Sequence, residues 1–405
     1  MPAPLSPALT RVQRGMLCAG CGACSALAPA KIAMAYDRGW LRPVQSAPLA
    51  PAEEAAIART CPGLGQTVMA AGRIDDPLWG PYLTMQTGHA TDAEMRFRGS
   101  SGGVLSQVLV HLLDSGVVDA VIANTADPAR PTANVTVIAT DRAGVLAAAG
   151  SRYAPSAPLA DLGARLLPGK RHAFVGKPCD AAALRAMVTD DPALAAAVPV
   201  ILSFFCAGVP NLKGADGVLA ALGAPADETV AFRYRGNGWP GQATATLRDG
   251  SERSMSYHDS WGGILSKHVQ HRCKVCADGT GVAADLVCAD AWEADEAGYP
   301  LFAEQDGTSL IVARTALGAD LLAGAVAAGR VATAPFDIAT LTAIQPGQRE
   351  RRRALLARIL ALRLGGRPAP RYRGLQLAAA ARQNTIAKNA KNFLGMLRRI
   401  LRGAV

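Results

Sequence analysis

Cys18, Cys21 and Cys24 stand at two successive C-x2-C spacings near the start of the chain. In a reducing compartment, thiols spaced this way are metal ligands or redox centres more often than disulfide partners. The run continues through Ser25, Ala26 and Leu27 to Ala28-Pro29, so it matches the C-x2-C-x2-C-x3-C-P pattern of 4Fe–4S proteins with Ala28 in place of the last cysteine. The fourth cysteine of that pattern serves a different cluster. The first three therefore need a distant ligand, and Cys61-Pro62 supplies it. A 4Fe–4S cluster is expected on Cys18, Cys21, Cys24 and Cys61. Gly20 and Gly22 suit a backbone that turns tightly and points its N–H groups at the sulfurs. The competing reading of four thiolates is a structural zinc site.

Cys273-Lys274-Val275-Cys276 is a second chelating pair that needs two more thiolates, and Cys179, Cys206 and Cys288 remain. Each of these alone could be a buried packing thiol. Cys179 falls at a strand-to-helix turn and Cys206 at the end of a strand, and strand ends on one edge of an open α/β sheet converge. Cys288 sits inside the apolar run ADLVCADAW and reads as packing. The second cluster is expected on Cys179, Cys206, Cys273 and Cys276.

Ser100-Ser101-Gly102-Gly103 precedes a helix-forming stretch. Free N–H groups at a helix N-terminus attract phosphate, with Arg96 and Arg98 available to add charge. A plain Ser-capped helix explains the same residues. Gly176-Lys177 follows another strand and brings a cation next to Cys179. Asn237, Gly238 and Trp239 either line a ring or make a turn, and Asp290 and Trp292 read as structural. His268 and His271, beside the second cysteine pair, are candidate proton donors.

These residues need elements to hold them. Residues 1–80 read as a loop-rich cysteine module. The segments 81–168 and 169–345 alternate strands and helices: helix from GSSGGVLSQVLVHLLDSG, strands from VVDAVIA, HAFVG, VILSFF and SLIVART, and a turn at KPCD. Residues 346–405 read as a basic helical tail. The expected fold is α/β, with a mixed-sheet core, a ferredoxin-like N-terminal cluster module and that tail. Half of the 405 residues are hydrophobic and 18% are charged, as in a globular chain of two or three domains. The charge-free stretch Pro192 to Leu212 is broken by Pro199, which argues against a membrane span. The start of the chain has no apolar h-region, so a cytoplasmic location is expected. The net charge of +10 is local: fifteen Lys/Arg against Glu350 alone follow from Arg349 onward.

The segments SGGVLSQVLVHLLDSGVVDAVI, FVGKPCDAAALR, FFCAGVPN, FRYRGNGWPG, RCKVCADGTGVAADLVCADAW and DGTSLIVART occur in that order. In this succession the chain, from Cys18 to about Leu321, resembles the coenzyme F420 hydrogenase/dehydrogenase beta-subunit family. The resemblance implies FAD beside two 4Fe–4S clusters, and it turns the Ser100–Gly103 loop toward the FAD pyrophosphate. Gly176, Lys177, Asn237 and Gly238 become candidates for the flavin surroundings, although the family more often carries a small hydroxyl residue where Lys177 stands. Relatives include F420-dependent subunits, 7-hydroxymethyl chlorophyll a reductase and divinyl chlorophyllide 8-vinyl reductase, and similar chains accompany polysaccharide biosynthesis.

The expected activity is therefore an oxidoreductase moving electrons between a ferredoxin or similar acidic donor and a small organic substrate, in either direction. An electron-transfer subunit of a larger complex is the alternative. A zinc-stabilised nucleic-acid binder is excluded by the lack of a recognised nucleic-acid fold and by 5% aromatic content. From Ile386 the apolar residues Ile386, Ala390, Phe393, Leu394, Leu397 and Leu401 share one helical face, with Lys388, Lys391, Arg398, Arg399 and Arg402 largely off it. Such a helix suits an acidic partner, a peripheral contact with an anionic membrane at the inner surface, or the protein's own body.

Overall fold

The structure, a computed structural model, describes residues 5–293 and 303–403. Its centre is an eight-stranded mixed sheet. The strands in chain order are β1 (Thr84–Ala90), β2 (Ala120–Ala126), β3 (Asn134–Ala139), β4 (His172–Gly176), β5 (Val200–Phe204), β6 (Leu286–Asp290), β7 (Ser309–Ala313) and β8 (Val331–Pro335). They lie side by side in the order β8-β1-β7-β6-β5-β4-β2-β3. The neighbours β2, β4, β5 and β6 are mutually parallel, and the flanking strands are antiparallel.

Both faces of the parallel part are covered, which is why its strands read as nearly unbroken apolar runs. Helix α1 (Val104–Asp114) lays Val104, Val108 and Leu112 on one face, against Val121, Ala173 and Leu202. Helix α2 (Pro178–Asp190) lays Ala181, Leu184 and Met187 on the other, against Ile122, Phe174 and Ile201. The KPCD segment expected as a turn is already helical: Pro178 is the first residue of α2 and Lys177 its N-cap. Proline at that position loses no hydrogen bond, and the Asp180 carboxylate accepts the Lys177 N–H at 3.0 Å.

Three smaller units surround the sheet. The N-terminal one holds the helices Pro7–Arg14, Ala23–Leu27 and Pro51–Thr60 and the hairpin Ile32–Asp37 with Trp40–Gln45. A three-stranded antiparallel sheet, Thr229–Arg233, Gln242–Leu247 and Glu252–Ser256, packs with the helix Leu212–Leu222. The third unit begins with the short helix α3 (His271–Lys274), which carries Cys273, and is completed by the C-terminal helices α4 (Pro346–Leu364) and α5 (Ile386–Leu401). The basic tail is thus largely integrated. Leu355, Ile359 and Leu362 of α4 share a core with Val275, Ala277 and Met396, and the buried Arg352 guanidinium donates to the carbonyls of Pro77, Ala277 and Leu375. No helix among the described residues is long and apolar enough to cross a membrane. Within the stretch Pro192 to Leu212, a short helix, Pro192–Ala197, gives way to β5.

One buried cation ties the sheet to its covering. Arg314, immediately after β7, is fully buried and donates to the carbonyls of Trp79, Pro81 and Thr280 at 2.9, 2.8 and 2.7 Å. Burial lowers its pKa to about 10. Arg314→Met should cost about 3 kcal/mol or more in urea unfolding, because three buried carbonyls lose their donor. Arg314→Lys should recover only part of this, since an ammonium lacks the planar fork. A loss under about 1 kcal/mol for the Met variant would mean the carbonyls find other donors.

Candidate functional site

The eight cysteines assigned to clusters fall into two groups, each around its own small cavity. Cys18, Cys21, Cys24 and Cys61 line one. Cys179, Cys206, Cys273 and Cys276 line the other. The first group is assembled by the loop before and inside the helix Ala23–Leu27 and by the C-terminal end of Pro51–Thr60, where Cys61 is the C-cap. Gly22 has φ of 88°, and a Cβ there would stand 2.4 Å from the Ala160 nitrogen, so only glycine lets the loop lie this close. In the second group, Cys179 follows β4 and Cys206 follows β5. These strands are adjacent and in register, Gly176 opposite Ser203, so their carboxyl ends meet as expected. Cys273 and Cys276 are brought over that edge by α3 and the loop after it.

Burial and crowding make these thiols poor acids when nothing positive lies among them. Burial first, then Cys18, pushes Cys61 up to about 11. Burial and then Cys273 push Cys206 up to about 12. Cys21, Cys24, Cys179 and Cys273 are raised for the same kinds of reason, burial foremost. Backbone N–H groups partly oppose the shift. Those of Ala23, Ser25 and Gly63 face Cys21, Cys24 and Cys61, and Val209 N–H donates to Cys273 Sγ at 3.4 Å. A group carrying several iron cations would reverse the balance and hold all four sulfurs as thiolates. Cys288 differs: it lies within β6, and burial alone pushes it up to about 12, with no other thiol contributing. Among the described residues no group of His, Cys, Asp or Glu is arranged to hold a metal ion. A single zinc requires bonds of about 2.3 Å to every sulfur, and thiolates around an iron–sulfur cube stand farther apart.

The two thiol cavities and a larger cavity are neighbours that share wall residues. Ala19 borders both thiol cavities. Cys206, Gly208 and Val209 border the second one and also a cavity of about 290 Å³, a size near the lower end of small-molecule sites. This large cavity opens at the carboxyl ends of β4, β5 and β6 and reaches the N-terminus of α1. Ser100, Ser101 and Gly103 line it, and the helix does not use the serines as caps. Its N-cap is Gly103, at φ of 71° and without a side-chain cap. Ser101 Oγ donates to the carbonyls of Ala289 and Thr308, and Ser100 Oγ lies 2.6 Å from Ser151 Oγ. The alternative of a Ser-capped helix is therefore not what this loop forms. Gly102 sits behind the cavity wall, where a Cβ would come within 2.7 Å of Gly88 O and Ser309 N.

Lys177 lines the cavity edge, fixed by Asp180 at 2.7 Å and Ser156 Oγ at 2.6 Å. Burial opposes its charge, and the Asp180 carboxylate with the Cys179 thiol more than offsets this, so it stays an ammonium. Gly176 is packed under the turn between Phe174 and Asp180 rather than facing the cavity. Several expected residues lie elsewhere. Asn237 and Gly238 form a tight loop outside the cavity wall, with Asn237 at φ of 55° and Gly238 N–H bonded to Phe97 O. Arg96 is bound to Gly307 O and Asp306, and Arg98 to Glu94. His268 and His271 are not in the cavity wall.

The wall opposite the thiols was not anticipated. Arg235 is buried, paired with both oxygens of Asp290 at 2.9 and 2.7 Å, and in contact with the rings of both Tyr257 and Trp292, which stack on each other. Trp292 in turn stacks on Trp239, at 4.7 Å between ring centroids. Tyr153 and Trp261 complete this aromatic face. The residues come from four separate segments with no shared spacing. Gln348 and Arg351 of α4 were missed as well. Both donate to the Cys206 carbonyl at 3.0 Å, yet in sequence Arg351 is one of a run of arginines that reads as a solvated face.

The class these features define is a mixed α/β protein with two four-thiol pockets beside a ligand cavity on the carboxyl edge of its sheet. Two sequence models agree with it: "Coenzyme F420 hydrogenase/dehydrogenase, beta subunit N-term" matches residues 85–162, and the corresponding C-terminal model matches 169–338. The chain belongs to the coenzyme F420 hydrogenase/dehydrogenase beta-subunit family. It is 23% identical over 280 residues to the coenzyme F420 hydrogenase subunit beta of Methanosarcina barkeri, covering 65% of this chain and 86% of that one. It also superposes on a solved chain of the F420-reducing [NiFe] hydrogenase complex of Methanosarcina barkeri with a TM-score of 0.55 and 21% identity, covering 71% of this chain and 96% of the other. The second thiol group lies inside the family match, whereas the first group and the helices α4 and α5 lie outside it.

Single substitutions separate the nine thiols. Cys61→Ala should deplete iron bound by the first group and Cys276→Ala iron bound by the second. Cys288→Ala should leave iron content unchanged and cost on the order of 1 kcal/mol in packing. Iron loss in the Cys288 variant would show that this thiol, not Cys179 or Cys206, is a ligand.

Proposed function

We propose that this chain is an iron–sulfur flavoprotein oxidoreductase that exchanges electrons between a ferredoxin-type protein donor and a small organic substrate. The observation that carries the reading is that neighbouring cavities share walls: Ala19 borders both thiol cavities, and Cys206, Gly208 and Val209 border the second thiol cavity and the large one. In this reading Cys18, Cys21, Cys24 and Cys61 hold one 4Fe–4S cluster, and Cys179, Cys206, Cys273 and Cys276 hold the other. FAD occupies the large cavity, with its pyrophosphate at the Ser100–Gly103 loop. When bound, the clusters exchange single electrons and the flavin exchanges two at once as a hydride, so together they convert between the two regimes.

The chain's own residues prepare that site. The uncapped N–H groups of α1 offer donors and a positive dipole end to phosphate. Lys177, locked by Asp180 and Ser156, sets a fixed positive charge between the second thiol group and the cavity, where it favours added negative charge. Arg235 cannot swing, because Asp290 takes both its forks and two aromatic rings cover it. It therefore holds Tyr257 and Trp292 as a flat wall suited to a planar ring. Nine free cysteines suit a reducing, cytoplasmic setting.

A second reading is an electron-transfer subunit that has no substrate of its own and works inside a larger complex. It is favoured by the solved relative, which is a chain of a hydrogenase complex. Turnover by the purified chain alone, with a reduced donor and candidate substrates, separates the two. The common core of both is tested by composition: anaerobically purified protein should contain about eight irons, eight sulfides and one flavin per chain. Four irons at full occupancy would remove one thiol group from the scheme, and stoichiometric zinc in place of iron would remove all of it.

A further inference from the structure

The cations of the C-terminal segment gather beside the second thiol group. Arg358 of α4 donates to Lys274 O at 2.9 Å, between Cys273 and Cys276 in the chain, and also reaches Asn392 of α5. Arg399 of α5 is close enough to repel both His271 and Lys274, and Arg367 also faces His271. The result is a knot of His271, Lys274, Arg358, Arg367 and Arg399, beneath which Arg272 is buried. Among the described residues none of Lys274, Arg358, Arg367 and Arg399 is in an ion pair with an acid. Glu350, the only acid after Arg349, is taken by Arg349 and Lys388. Both ring nitrogens of His271 lack a hydrogen-bond partner. Like charges held this close are costly unless something negative meets them.

Helix α5 shows which way that charge faces. Of its expected apolar stripe, Phe393 docks on the core shared with α4, joined there by Met396 and Ile400 from outside the stripe, while Ile386, Leu394 and Leu401 remain 90, 60 and 79% exposed. At 100° per residue the basic sector of Lys388, Lys391, Arg398, Arg399 and Arg402 is centred roughly 130° from these exposed residues. A flat lipid surface that took up the leucines would leave the cations pointing away from it. A protein docked on the basic sector meets the knot directly, next to Cys273 and Cys276.

We propose that an acidic one-electron donor protein docks on the basic face formed by α3, α4 and the cationic sector of α5, so that electrons arrive at the second thiol group. The proposal rests on the iron–sulfur reading above. Each encounter oxidises the donor by one electron and reduces this chain by one, with no bond made and no proton required. Within this face α3 lies inside the residues matched by the family, whereas α4 and α5 lie beyond them.

The test uses the full chain, anaerobically purified, and a small acidic 2Fe–2S ferredoxin, followed by stopped-flow absorbance. The second-order rate should be high at low salt and fall steeply as salt is added, because steering by charge is screened. Arg398→Glu combined with Arg399→Glu should lower the low-salt rate at least tenfold. The two proteins should converge near roughly 1 M salt, where the screening length is about 3 Å. Iron content, visible spectrum and reduction by dithionite should not change, and Lys170→Glu, at the opposite edge of the sheet, should react as the wild type. A wild-type low-salt rate in the double variant, with full iron content, overturns the proposal. So does capture by vesicles of phosphatidylglycerol that the double variant loses while its donor rate is unchanged, since the face would then serve a lipid surface. Failure of the underlying reading is visible separately, as protein without iron.

Discussion

Eight thiols brought into two buried groups pack readily as neutral side chains but are costly to ionise, because each thiolate would be desolvated and would repel its neighbours. The upward shifts of Cys21, Cys24, Cys61, Cys179, Cys206 and Cys273 express that cost, with burial foremost in every case. Much of the architecture around the sheet can be understood as holding this arrangement in place. The N-terminal loop must cross the carboxyl edge of the sheet for Cys18 and Cys21 to lie near Cys179. Ala19 and the left-handed Gly22 allow that close passage. Helix α4 then closes the site from outside, with Gln348 and Arg351 fastening the Cys206 carbonyl and Arg352 the Ala277 carbonyl just after Cys276.

The same region concentrates buried charge in pairs. Lys177, held by Asp180, and Arg235 with Asp290 line the large cavity, and each pair is tied to further hydrogen-bond partners. Such pairs add little net stability compared with apolar packing, but they fix orientation, since breaking one leaves an uncompensated buried charge. Arg314 and Arg352 use the other solution: their guanidinium groups donate to backbone carbonyls from distant segments. The cavity is therefore walled by groups that have little freedom to rearrange, which is the condition for electrostatic preorganisation.

The family match spans residues 85–162 and 169–338, taking in most of the sheet and the second thiol group. What is shared is a scaffold, and a scaffold does not choose a substrate. What lies beyond the match, α4 and α5, is packed into the body instead of trailing from it, and it delivers its positive charge to one location beside Cys273.

The linear sequence already determined the features that depend on local pattern. Cysteine spacing grouped Cys18, Cys21, Cys24 with Cys61, apolar runs placed the strands and the helix from Val104 to Asp114, and the succession of segments pointed to the family. The pairing of Cys179 with Cys206 was legible because adjacent parallel strands end at the same edge. The tertiary structure alone decided what depends on long-range approach. It turned Asn237 and Gly238 away from the cavity and put Arg235, Tyr257, Trp261 and Trp292 into its wall. It engaged Arg96 and Arg98 elsewhere, and it docked part of the apolar stripe of α5 and left part exposed. Local pattern records which side of a helix or strand is apolar; it does not record which neighbour arrives to cover that side, because the covering residues come from segments hundreds of positions away.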